Sequence, residues 1–216
     1  MGYARAGFEV VGVDIKPQPN YPFRFLRCDA RGMAEMCAAR QERGERNFFL
    51  GAIDAIHASP PCPRYSAVTA VSGSRGDHPD LIGEVRAELE AAGLPYVIEN
   101  VEGAPLRSPV RLCGTAFPEL RVIRHRLFEC SFPLMVPPCG EHPLLYVPDK
   151  RRPHQGEQDE MVAPVSVTGG GNCSKAAAAD AMGIDWMTKA ELNDAIPPAY
   201  TQHIGSYLMA EVMARV

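Results

Sequence analysis

Three short stretches hold side chains of types and spacings that could do chemistry. The first is Ser59-Pro60-Pro61-Cys62-Pro63-Arg64-Tyr65-Ser66. A cysteine just after an apolar run, in a proline-rich loop, is held rigidly near the edge where sheets bind ligands. An arginine or helix start nearby would lower its pKa and give a nucleophilic thiolate. A buried thiol following a turn fits the same pattern. The second is Tyr96-Val97-Ile98-Glu99-Asn100-Val101. A carboxyl directly after apolar strand residues sits either exposed at a strand end or inside a cleft. In a partly apolar cleft its pKa rises and it can donate a proton near neutrality. The third is Arg121-Val122-Ile123-Arg124-His125-Arg126-Leu127-Phe128. On a strand, Arg124 and Arg126 point to one face, where paired guanidinium groups suit an anion, a base edge or a phosphate; a solvated basic strand edge is the plainer alternative.

Elements must position these groups. Phe8 to Asp14 reads as a buried strand ending in an acid, and the prolines at 17, 19 and 22 stop it. Arg24 to Cys28 reads as a second strand, ending at Asp29. Helical spacing follows over Met33 to Arg40. Ala52 to Ala58 forms a third strand and Pro95 to Asn100 a fourth, with an amphipathic helix over Asp80 to Ala92 between them, stopped by Gly93. Its apolar face is Leu81, Ile82, Val85 and Leu89. A further strand lies within Arg121 to Phe128. Alternating strands and helices predict an α/β fold with a mostly parallel sheet, and acids at strand ends sit where such sheets bind ligands. From about Cys130 to Met161 prolines break every pattern. Helical character returns at Lys175 to Met182, at Thr188-Lys189-Ala190-Glu191 with a capping-box signature, and from Ala199 to Arg215 after Pro197-Pro198.

Composition narrows the function classes. With 46% hydrophobic and 22% charged residues the chain is an ordinary globular mix. No uninterrupted apolar run approaches the length of a membrane span, and the N-terminus lacks the apolar region of a secretory signal. Seven cysteines without dense spacing predict reduced thiols and a cytoplasmic location. The net charge of -4 excludes a basic nucleic-acid coat, so any nucleic-acid contact must use a local basic patch.

Taken in order, Pro61-Cys62, Glu99-Asn100-Val101 and Arg124-His125-Arg126 resemble the DNA (cytosine-5)-methyltransferase family. There a Pro-Cys motif supplies the nucleophile, Glu-Asn-Val the acid, and Arg-x-Arg contacts in the catalytic pocket. Leu192-Asn193-Asp194-Ala195-Ile196-Pro197-Pro198 resembles the family's last motif, which returns to the cofactor pocket. The resemblance implies a Rossmann-like fold dependent on S-adenosyl-L-methionine, with a catalytic core at 1–129, a small loop-rich target-recognition insert at 130–166 and C-terminal helices at 167–216. It implies catalytic roles for Cys62, Glu99, Arg124 and Arg126. It implies cofactor contacts at Asp14 (ribose hydroxyls), Ile15 (adenine face), Asp29 and Ala30 (adenine edge), Pro61 and Leu81 (pocket wall), and Asp194, Ala195 and Ile196. Double-stranded DNA is the implied partner, with Ser66, Lys150, Arg151 and Arg152 as DNA contacts and His154 beside them.

The sequence departs from the family pattern at several places. Its first segment resembles only the helix and strand that follow the family's opening strand and glycine-rich cofactor loop. The expectation is therefore a fold lacking that central strand, with two unpaired backbone edges, or with a second polypeptide supplying it. Pro63, Val122 and Asp194 replace residues usual in the motifs. A catalytically inactive relative that binds DNA or a partner is the alternative reading, and a thiol enzyme pairing Cys62 with His57 is a third. Cys130, Cys139 and His142 show no fourth ligand and no standard finger spacing, so no metal is expected. Gly169-Gly170-Gly171-Asn172 reads as a hinge and not as a phosphate loop, because no Gly-Lys-Ser/Thr follows.

Overall fold

The computed structural model describes residues 1–33, 53–66, 74–142, 164–168 and 173–215. Residues 34–40 of the expected helix, the tri-glycine hinge at 169–172 and the basic cluster Lys150, Arg151, Arg152 and His154 lie outside those residues.

Strands form within or overlapping the five predicted stretches, and a further one forms at Val110–Leu112, which no predicted stretch covers. Strand β1 (Val11–Asp14) pairs in parallel with β2 (Arg24–Arg27), Asp14 opposite Arg27. A second sheet has the order β3 (Ile56–Ala58), β4 (Tyr96–Asn100), β6 (Arg126–Cys130), β5 (Val110–Leu112). β3 and β4 are parallel, whereas β6 runs antiparallel to both β4 and β5. The fold is α/β as expected, but this sheet is mixed rather than mostly parallel. Among the described residues β1 and β3 each have one hydrogen-bonded neighbour.

Strand alternation sorts the second sheet's faces. Register places His57 beside Val97 and Glu99 opposite Phe128, so His57, Val97, Glu99, Phe128 and Arg126 share one face. Against it lies the main core, in which Val97, Phe128, Tyr200, Ile204 and Leu208 are buried. Each such side chain contributes roughly 1.5–3 kcal/mol of burial. On the opposite face Ile56, Ala58 and Ile98 pack on α2 (Ile82–Ala92). That helix buries Ile82, Arg86, Leu89 and Ala92, while Leu81 is its N-cap residue, and Gly93 ends it with a left-handed φ of 68°. Ile82, Val85 and Leu89 of the expected apolar stripe face the core, Leu81 lies just outside the helix, and a buried arginine that the stripe did not include joins them. Arg86 is satisfied by Glu129 of β6 through two hydrogen bonds of 2.7 and 2.8 Å.

The C-terminal elements form where local signals are strongest. Ser174 caps α3 (Lys175–Met182), and Thr188 and Glu191 close a capping box on α4 (Lys189–Asp194). Helix α5 (Pro198–Met213) starts with proline in its first turn. The short α1 (Gly2–Arg5) packs on α5 through two glycines. A Cβ at Gly2 would lie 2.1 Å from the Pro198 carbonyl oxygen, and one at Gly205 2.7 Å from the Ala6 Cβ. Beyond β6, residues 131–142 form no helix or strand. Val165 returns to the core, bridging Val122 in parallel.

Candidate active site

Cys62 follows β3 in a loop anchored to the neighbouring strand. Asn100, buried at the end of β4, donates from Nδ2 to the Pro60 carbonyl at 3.0 Å, and its Oδ1 accepts from the Val101 N–H at 2.9 Å. The Cys62 carbonyl accepts from the N–H groups of Tyr65 and Ser66 at 2.9 and 3.1 Å, so the chain turns directly after the thiol. Tyr65 and Arg64 hold that turn to Asp80. Asn100 therefore positions the loop that carries Cys62.

Glu99 is 8% exposed. The antiparallel register sets it diagonally from Arg126, and Arg126 Nε meets its Oε1 at 3.0 Å. Burial pushes the Glu99 carboxyl up. Arg126, a hydrogen bond from Ser59 and Arg124 oppose that without cancelling it. A carboxyl held above its ordinary range is suited to carry a proton near neutrality.

Cys62 lies within electrostatic reach of Arg126, Glu99 and Asp194. Sequence reasoning expected an arginine to lower its pKa. Arg126 does so, but burial has the larger effect and Glu99 and Asp194 add to it, so the thiol sits above its ordinary range. The resting side chain is a neutral thiol.

Arg124 corrects a second expectation. Strand β6 begins only at Arg126, so Arg124 and Arg126 do not form a two-pronged face. Arg124 is buried and donates to the carbonyls of Val167 and, at 2.6 Å, Asn193. Its own carbonyl accepts from Tyr200 Oη at 2.6 Å. Burial and the neighbouring Arg126 lower its pKa to about 10. Arg124 is a positioning residue: it fastens the 164–168 segment and the end of α4 to the strand carrying Arg126. Asp194, which acts electrostatically on Cys62, follows Asn193 directly.

His57 was missed as a neighbour of Glu99. Tyr3 Oη lies 2.6 Å from its Nδ1, and its Nε2 lies 3.1 Å from Ser59 Oγ. Tyr3 and Phe128 stack edge-on against the ring, and burial holds the imidazole down at about 4. A neutral ring accepting from Tyr3 and donating to Ser59 leaves the Ser59 hydroxyl to donate to Glu99. The signal was available, since a parallel β3–β4 pair puts His57 and Glu99 on one face. With both nitrogens engaged, His57 is not the base for Cys62.

The predicted cofactor residues fall at the ends of β1 and β2 and around Cys62. Asp14 Oδ1 accepts from the Lys16 N–H at 2.8 Å and Oδ2 from Gln18 Nε2 at 3.1 Å. Ile15 beside it is 60% exposed, unusual for a large apolar side chain. Asp29 is gripped by Arg31, at 2.6 Å to Nη2, which draws its pKa down to about 2; Ala30 is exposed next to it. Pro61 is exposed, and Leu81 is half-buried at the start of α2. Ala195 and Ile196 pack partly against the main core, while Asp194 is exposed. Asn20, from the loop after Asp14, donates to both Glu191 carboxylate oxygens at 3.1 and 2.9 Å. This joins that loop to the helix ending in Asp194. Ser66 is half-buried, in the turn after Cys62.

A second cluster contains Cys139 and His142, which the sequence reading names together, and adds two residues it does not place with them, Cys113 and His125. Side-chain donor atoms of Cys113, His125, Cys139 and His142 all lie within 4.8 Å of one another. Cys130, singled out by spacing, is not among them.

No protein-family model matches the chain, and no curated protein matches it. Among the described residues no helix is long and apolar enough to cross a membrane.

Proposed function

We propose that this chain is a DNA cytosine-5 methyltransferase that uses S-adenosyl-L-methionine and double-stranded DNA. The observation that carries the reading is the convergence of Cys62, a buried Glu99 with a raised pKa, and Arg126 ion-paired to that carboxyl, from three separate elements.

The target cytosine leaves the stack to enter this pocket. Cys62 gives its proton to solvent water and its sulfur bonds to C6 of the ring. The ring electrons move toward C5 and N3, and Glu99 holds or protonates N3 to offset that charge. Arg126 orients the Glu99 carboxyl and contacts the base. S-adenosyl-L-methionine, when bound, would supply C5 with the methyl group of its sulfonium and depart as the neutral thioether. A base then removes the C5 proton, the C5–C6 double bond re-forms, and Cys62 leaves as thiolate while Glu99 recovers any proton given to N3.

The residues fit that cofactor in part. Asp14 presents a carboxylate to hydroxyl groups and exposed Ile15 an apolar face to a purine. Asp29 must share its carboxylate with Arg31 to take an adenine amino group. Among the described residues β1 and β3 each have one hydrogen-bonded neighbour, which is compatible with a further strand from this chain or from a second polypeptide.

The test is nucleoside mass spectrometry of DNA from cells without cytosine methylation of their own. Expression of the chain should yield 5-methylcytosine, and Cys62→Ala should abolish it. Unmodified DNA in both would refute the reading and favour the inactive, DNA- or partner-binding alternative.

A further inference from the structure

Cys113 is buried at the end of β5, just before the 3-10 turn Gly114–Ala116. That turn is tightly fixed, since a Cβ at Gly114 would lie 1.9 Å from the Val122 carbonyl oxygen. His125 precedes β6, between Arg124 and Arg126. Cys139 and His142 follow in the segment beyond β6. Three stretches distant in sequence thus aim two sulfurs and two imidazole nitrogens at one point.

The separations carry the chemistry. Cys113 Sγ lies 3.5 Å from His142 Nε2, and Cys139 Sγ lies 3.6 Å from His125 Nε2 and 3.0 Å from His142 Nε2. The two Nε2 atoms are 3.3 Å apart. A tetrahedral zinc with bonds of ~2.3 Å to sulfur and ~2.05 Å to nitrogen sets ligand separations of about 3.5 Å for S···N and about 3.3 Å for N···N. Three of these four edges match that figure, and the fourth is shorter. Hydrogen bonding alone explains the cluster poorly. His142 Nε2 faces two sulfurs and another imidazole nitrogen yet carries at most one proton.

The surroundings are arranged as metal ligands require. His125 Nδ1 lies 3.3 Å from Glu102 Oε2, which fixes the tautomer that leaves Nε2 free to bind a cation. Thr115 Oγ1 donates to Cys113 Sγ at 3.2 Å and accepts from the Gly140 N–H at 3.2 Å. Two thiolates and two neutral imidazoles select zinc and cancel its charge.

We propose that Cys113, His125, Cys139 and His142 bind one structural zinc ion. Binding releases the two thiol protons and changes no oxidation state. All four positions are taken by protein, so the ion is a staple and not a catalyst. It ties the segment after β6 to His125, and so to the strand start carrying Arg126. The proposal stands independently of the methyltransferase reading.

The test measures metal content of the full chain purified under reducing conditions from zinc-supplemented cells. One zinc per chain is expected. Cys130→Ser should retain it, while Cys139→Ser and His142→Ala should each weaken zinc binding by more than ~100-fold. Because those variants could fail to fold, cobalt is exchanged into the unaltered protein as well. The visible absorption of tetrahedral cobalt with thiolate bonds supports the site. Less than half an equivalent of zinc with no such spectrum overturns it, as does full retention in a Cys139→Ser, His142→Ala double variant.

Discussion

The buried pair Arg86–Glu129 makes a demanding quantitative prediction. Both side chains are under 10% exposed, at 8% and 4%. Glu129 also accepts from the Arg107 N–H at 2.7 Å, and Arg86 also donates to the Pro105 carbonyl at 2.9 Å. Removing either partner leaves the other charge buried and uncompensated, which costs about 3–5 kcal/mol. For a chain of this size that corresponds to a fall in Tm of about 6–20 °C. Glu129→Met should cost more at neutral pH than Arg86→Met. It strands a guanidinium and a backbone N–H, whereas the carboxyl left by Arg86→Met can take up a proton. Replacing both residues with Met should recover most of the loss, because packed apolar side chains replace such pairs at little cost.

The pH dependence has a definite sign. Burial raises the Glu129 carboxyl, but the Arg86 and Arg107 hydrogen bonds and their charges outweigh it, and the net shift is downward. The pair's stabilisation is therefore fully present above the unfolded carboxyl value of about 4.3, and is lost as pH falls through the lower folded value. In Arg86→Met the lone buried carboxyl shifts upward instead, so its penalty is greatest at neutral pH and shrinks in acid. The gap between the unaltered chain and Arg86→Met should narrow as pH falls. Urea unfolding followed by circular dichroism measures both effects. A cost below ~1 kcal/mol for both single variants, or a gap independent of pH, would refute the reasoning.

Two other predictions concern the site. The alkylation rate of Cys62 against pH reports its thiol: Glu99→Gln should move the profile to lower pH and Arg126→Gln to higher pH, and identical profiles would dissociate the three groups. Ile15→Ser should weaken S-adenosyl-L-methionine binding by several-fold in calorimetry while changing stability by no more than ~0.5 kcal/mol, since the side chain is exposed; unchanged affinity would remove Ile15 from the cofactor site.

Much of the framework was legible because its signals are local. Apolar runs bounded by proline, the Gly93 stop, the Thr188–Glu191 capping box and the proline start of α5 each act within a few residues. Cys62 and Glu99 were legible as residues at strand ends. What the sequence hid depends on pairing between distant segments. Nothing near Arg126 says that β6 runs antiparallel to β4, so the different fates of Arg124 and Arg126 could not be read. Arg86 looks like a surface residue until Glu129 arrives from another element. The Cys113–His142 cluster draws its four donors from three segments, and only the Cys139–His142 spacing is short. The pKa of Cys62 was misjudged for the same reason: its nearest arginine was foreseeable, its burial was not.

The packing of α1 on α5 bears on how the molecule is made. Gly2 fits against Pro198, Thr201 and Gln202, and Gly205 against Tyr3 and Ala6, contacts between residues roughly 200 positions apart. The first of these helices leaves the ribosome long before its partner exists. The buried Tyr200, which closes over Phe128 and accepts its place by donating to the Arg124 carbonyl, arrives equally late. Until then the face of the second sheet that holds Glu99 and Arg126 stays uncovered. A nascent chain halted before α5 would expose that apolar face and be a natural client for chaperones. Assembly of the surroundings of Glu99 and Arg126 is thereby coupled to the synthesis of α5.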